Sequence, residues 1–69
     1  MRNFTDGQTV KVADTEHPLV GKAGTVVRRR MADDGAWVRM VDDIPTSMRQ
    51  FSDERKNNVL LYPYQCEPA

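Results

Sequence analysis

One cysteine, Cys66, and one histidine, His17, are all that this 69-residue sequence offers of either type. A lone cysteine excludes a disulfide within the chain, so the fold has to hold without one. One cysteine and one histidine cannot complete a zinc site, and no spacing resembles one; no metal and no other cofactor is expected. No apolar run approaches the ~20 residues needed to span a bilayer. The opening Met1-Arg2-Asn3-Phe4-Thr5-Asp6-Gly7 lacks the apolar stretch of a signal peptide, so a cytoplasmic protein is expected. A Gly-rich phosphate loop of nucleotide-binding length is also missing. His17 has Asp14, Thr15 and Glu16 near it in sequence, but these make no recognisable group of nucleophile, base and orienting residue. His17 therefore reads as a turn element or surface contact. No catalytic residue, no small-molecule substrate and no enzyme is expected.

What is present fits a small folded domain. Hydrophobic residues make up 39% and charged residues 29% of the chain. A domain this short buries only roughly 60% of the surface it exposes when unfolded, so the core is small. Residues 1–69 are read as one domain. The net charge is zero, yet the charges are unevenly placed. Residues 1–31 carry six basic side chains against three acidic ones, and residues 32–69 carry four against seven. Such polarity favours an electrostatically oriented partner over bulk binding of nucleic acid.

The periodicity is that of strands. Thr9-Val10-Lys11-Val12 alternates polar and apolar after Gly7. The stretch from Asp14 to Gly24 is a loop broken by Pro18, Gly21 and Gly24. Of these two glycines, one is expected at positive φ and the other at a sharp bend. Thr25–Met31 is the second strand, and Ala32-Asp33-Asp34-Gly35 is a hairpin turn in which both Asp34 and Gly35 tolerate positive φ. Ala36–Val41 is the third strand. Pro45 interrupts the ladder, Ser47–Phe51 is a short strand, and Ser52–Asn58 is a polar loop or single turn. Val59–Tyr62 is the last strand, ended by Pro63. From about residue 65 a short flexible tail is expected to fray unless Tyr64 packs down. Five short strands in so few residues predict an all-β fold, a small five-stranded SH3-like barrel that leaves no open edge.

The stretch Gly7-Gln8-Thr9-Val10-Lys11-Val12, followed by His17-Pro18-Leu19-Val20-Gly21-Lys22-Ala23-Gly24-Thr25-Val26-Val27, resembles the KOW motif. That motif occurs in SH3-like barrels of certain ribosomal large-subunit proteins and transcription elongation factors. The resemblance spans residues 7–31 and places the motif's central glycine at Gly24, with Val10, Val12 and Val26 in its apolar positions. It implies binding to RNA, ribosomal surfaces or transcription machinery. Members of the family are usually more basic than this neutral chain, which counts against direct RNA binding.

Several side chains could carry recognition. Arg28-Arg29-Arg30 is the densest basic cluster; on a regular strand two of the three face one way and one the other. It reads either as a phosphate-contacting strip, helped by Lys11, Lys22 and Arg39, or as a solvated strand end answered by Asp33, Asp34, Asp42 and Asp43. Trp37 shares a strand face with Arg39 and Val41, opposite Ala36, Val38 and Met40. In one register it is displayed beside Arg39, where it could stack a base or anchor a protein; in the other it is the main core residue. Phe51, Tyr62 and Tyr64 either line an aromatic surface or fill and cover the barrel. The function that follows is a non-catalytic module docking on a protein partner or larger assembly, with a KOW-like nucleic-acid, ribosome- or transcription-associated role as the alternative.

Overall fold

The computed structural model describes residues 1–45, 52–53 and 57–69 of the chain. Within them the protein is all-β. The strands are β1 (Thr9–Val12), β2 (Ala23–Arg29), β3 (Ala36–Met40), β4 (Ser52–Asp53), β5 (Asn58–Leu61) and β6 (Cys66–Pro68), with a 3-10 turn at Pro63–Gln65. They form one antiparallel sheet in the order β4-β5-β3-β2-β1-β6. Neighbours in sequence pair as a meander through β3, and the last strand returns to pair with the first. Among the described residues no ladder joins β4 to β6.

The core follows from the period of two. Val10 and Val12 on β1, Val26 on β2, Ala36, Val38 and Met40 on β3, and Val59 and Leu61 on β5 all turn to one face and are buried. Cross-strand pairs such as Val26 with Val38, and Val38 with Val59, stack these side chains row on row. Two residues from outside the ladders close the core: Phe4, 2% exposed, and Leu19, 2% exposed. Among the described residues Phe4 is its only aromatic ring. The segment that carries it runs into the β1–β2 ladder, through Gly7 N–H to Val26 O at 2.8 Å and Val26 N–H to Gln8 O at 2.8 Å.

The passage from β1 into β2 explains two glycines, Gly21 in the loop and Gly24 in β2. Gly21 has φ +83°, the left-handed region, with no atom near a would-be Cβ. Gly24 is needed for close approach. A Cβ there would lie 2.7 Å from the Arg39 carbonyl oxygen and 2.7 Å from Val38 Cγ1. The same loop buries His17, whose Nδ1 accepts the Leu19 N–H at 3.0 Å while its backbone N–H donates to Asp14 O at 3.0 Å. The histidine is a turn element, as one of its two readings has it.

Several sequence expectations need correction. The second strand is shifted: it runs over Ala23–Arg29, so Arg30 and Met31 belong to the following loop. The third strand ends at Met40 rather than Val41. The Asp34-Gly35 step is not a positive-φ hairpin turn, since neither residue has positive φ. A wider loop replaces it, closed by Arg30 N–H to Gly35 O at 2.9 Å and by Gly35 N–H to Asp33 Oδ1 at 2.9 Å. Gly35 is small for another reason: the Tyr62 ring lies 2.9 Å from where its Cβ would be. Ser52–Asp53, expected in a polar loop, pairs with Val59 and Asn58 as β4. The expected strand Ser47–Phe51 lies outside the described residues. The strand expected over Val59–Tyr62 starts at Asn58 and stops at Leu61, so Tyr62 follows it. Finally, residues 66–68 are not a fraying tail but β6, paired with Val10, Lys11 and Val12. Its anchor is Cys66, 4% exposed, and the preceding turn is held by Ala13 N–H to Gln65 O at 2.8 Å.

Candidate functional site

The strand pair β2–β3 positions the candidate site. Its register is regular from Gly24 opposite Met40 to Val26 opposite Val38, then shifts by one residue, so that Arg28 lies opposite Trp37 and Arg29 opposite Ala36. Val27 is left without a partner; it is the extra residue of a β-bulge. In an unbroken ladder Val27 would meet Trp37, and Arg28 would lie opposite Ala36, on the other face of the strand. The bulge reverses this and turns Arg28 outward.

Trp37 is on the outer face and half-buried, while Ala36, Val38 and Met40 point inward. The structure thus takes the displayed register. Trp37 stands in a row between Arg28 on β2 and Leu60 on β5, with Arg39 two residues along on the same face. Arg39 is exposed, opposite Thr25 and Asn58. Directly opposed side chains in such a ladder have Cβ atoms about 4.5–5.5 Å apart, within reach of a guanidinium and an indole.

At this end of the hairpin a groove of about 970 Å³ opens. Arg28, Arg29, Arg30 and Trp37 line it, together with Phe4, Asp6 and the Met31–Gly35 loop. Two of the three arginines are engaged within the protein. Arg29 Nε lies 3.5 Å from Asp6 Oδ1, which also accepts the Arg29 backbone N–H at 3.2 Å. Arg30 Nε lies 3.6 Å from Asp33 Oδ1. Asp33 is a hub: its Oδ1 also takes the Gly35 N–H, and its Oδ2 accepts the Tyr62 hydroxyl at 3.3 Å. Among the described residues Arg28 has no carboxylate partner.

The other sequence candidates do not join this cluster. Lys11 is paired with Glu67 at 3.2 Å and Lys22 with Asp42 at 3.5 Å, both on exposed surface. Lys11 faces Ala23, five residues from Arg28 along β2 and so roughly 17 Å away. A continuous basic strip from Lys11 and Lys22 through the three arginines does not form. Tyr62 and Tyr64 do meet, with ring centroids 6.3 Å apart and planes at 17°. Tyr62 is half-buried against Gly35 and Tyr64 is 76% exposed, so this stack backs the Asp33–Gly35 loop rather than lining the groove. Phe51 lies outside the described residues.

The sequence reading missed Phe4, Asp6 and Met31 as groove residues. Asp6 meets Arg29 across 23 positions, a separation with no local pattern to reveal it. Met31, expected on a strand, is fully exposed in the loop.

No group of three or more His, Cys, Asp or Glu side chains among the described residues is placed to hold a metal ion. No helix among them is long and apolar enough to cross a membrane. No protein-family model, curated protein or solved structure matches this chain.

Proposed function

We propose that this protein is a small non-catalytic binding module of the SH3-like barrel kind, docking on a protein partner or a larger assembly through the groove at the β2–β3 hairpin. The observation that carries the reading is the Val27 bulge, which sets Arg28 beside an outward Trp37. An aromatic ring and an arginine displayed together are the side chains most enriched at the energetic centres of protein interfaces. A half-buried tryptophan is also held rigidly, so little further entropy is lost when a partner covers it. The barrel assignment is supported by the short Pro63–Gln65 turn, which carries the chain from β5, near one edge of the sheet, to β6 at the other edge.

The nucleic-acid alternative keeps one argument, since an indole beside a guanidinium also suits a stacked base. Charge weighs against it. Asp6, Asp33 and Asp34 line the same groove as the three arginines, and Lys11 and Lys22 are elsewhere. The test is affinity capture with crosslinking, using the wild-type chain and the Trp37→Ala and Arg28→Glu variants as baits. A protein recovered by the wild type and lost on both variants, with their circular dichroism unchanged, supports the reading. Equal recovery on all three baits, or RNA retained in preference to protein at low salt, overturns it.

A further inference from the structure

The cations of the groove are not equally available. Asp6 and Asp33 already engage Arg29 and Arg30, whereas Arg28 projects outward without a carboxylate partner among the described residues. A phosphodiester chain carries a charge at every nucleotide. Beyond Arg28 it would meet arginines already neutralised, or one of the three carboxylates, and like charges across an interface are costly. A single carboxylate beside an apolar group meets no such penalty. The guanidinium fork matches a carboxylate with two parallel hydrogen bonds. Beside it, Trp37 offers a flat apolar ring, and Met31 a fully exposed, flexible thioether that can mould to a neighbouring side chain.

We infer that the groove takes a peptide segment presenting one carboxylate next to an aliphatic or aromatic side chain, with Arg28 binding the carboxylate and Trp37 and Met31 the apolar neighbour. This rests on the groove being the docking site and names the chemistry of its partner.

Trp37 is the only tryptophan, so its emission reports directly on the groove. The probes are a blocked Gly-Asp-Leu-Phe-Gly peptide, the same peptide with Asn or Lys in place of Asp, and a short oligouridylate. The expected result is a shift of Trp37 emission with the Asp peptide, bound about tenfold more tightly than the Asn peptide. Arg28→Ala erases that difference, and Arg28→Glu transfers the preference to the Lys peptide. Arg28 is exposed, so neither substitution touches the core. Equal affinity for the Asp and Asn peptides, tighter binding of oligouridylate, or no response to any peptide overturns the inference. Where peptides fail but a captured protein still depends on Trp37, only the carboxylate chemistry falls. Where that dependence is also lost, the docking reading falls with it.

Discussion

Arg28 lies directly across the β2–β3 ladder from Trp37, and it does so because Val27 has no partner in that ladder. One unpaired residue thus decides which face of the sheet carries a guanidinium. Without the shift Arg28 would lie opposite Ala36, the place Arg29 now takes, and Val27 would stand beside Trp37 instead. Bulges commonly re-aim side chains in this way next to binding sites. The energetic consequences of the arrangement are open to measurement.

Trp37 belongs to a surface, so its removal should cost less stability than its size suggests. Leu61, fully buried on β5, is the comparison. Leu61→Ala is expected to destabilise by about 2–5 kcal/mol. Trp37→Ala is expected to fall below the value for Leu61→Ala, because part of the ring is already hydrated. Urea unfolding followed by circular dichroism ranks the two. A larger loss for Trp37→Ala would place the indole in the core after all.

Gly21 in the β1–β2 loop and Gly24 at the start of β2 should fail differently. Gly21 is required for its φ, with open space around it. Gly21→Ala should cost about 1–2 kcal/mol, and Gly21→Asn less, since asparagine accepts the left-handed region. Gly24 is required for space: any side chain meets the Arg39 carbonyl and Val38. Gly24→Ala and Gly24→Asn should both be destabilising, by about 1–3 kcal/mol for alanine and more for asparagine. Thermal or urea denaturation of the four variants separates a conformational from a steric requirement.

Stability should fall on mild acidification. Burial holds the His17 imidazole below its ordinary value of 6.5, partly offset by the nearby Asp14 carboxylate. The unfolded chain therefore takes up the proton first. The stabilisation is complete above the ordinary value and is lost as pH falls toward the lowered folded value. Protonation also removes the Nδ1 lone pair that accepts the Leu19 N–H. Urea midpoints between about pH 7.5 and about pH 5 should decline in the wild type. In His17→Gln that part of the decline should be absent. An unchanged slope in the variant would assign it to carboxylates.

Cys66 should be inert while β6 is paired. Its thiol is buried, and burial pushes its pKa up to about 11 against a smaller opposing effect of the N-terminal ammonium. The thiolate needed for reaction is then scarce at neutral pH. Labelling by a thiol-specific disulfide reagent should be slow, and should accelerate with sub-denaturing urea as β6 leaves β1. Fast labelling of the native protein would show that β6 separates readily.

The alternation of Val10 and Val12, and of Ala36, Val38 and Met40, was legible because the side chains of a strand change face at every residue. Those positions are the inner face of the sheet. The face of Trp37 was not settled by the same rule, since Trp37, Arg39 and Val41 alternate equally well. The presence of Arg39 on that face was the available signal, because burying it would need a partner. Two features left no local mark. Cys66-Glu67-Pro68 is too short and polar to read as a strand, and becomes one through its pairing with β1. Asp34-Gly35 carries a common hairpin signature, yet Asp33 and the Tyr62 ring select another loop.

The sequence by itself determined what is local: the segments that become β1, β2, β3 and β5 to within a few residues, the alternation along them, and a special backbone role for the glycines at 21 and 24. These depend on backbone sterics and a period of two, which a few neighbouring residues contain. Tertiary structure decided the rest. The bulge at Val27, the outward turn of Arg28, the engagement of Arg29 by Asp6 and the plugging of the core by Phe4 all depend on which distant strands come together and in what register. Register is a property of pairs of strands, fixed by how their faces pack, and no single stretch of the chain contains it.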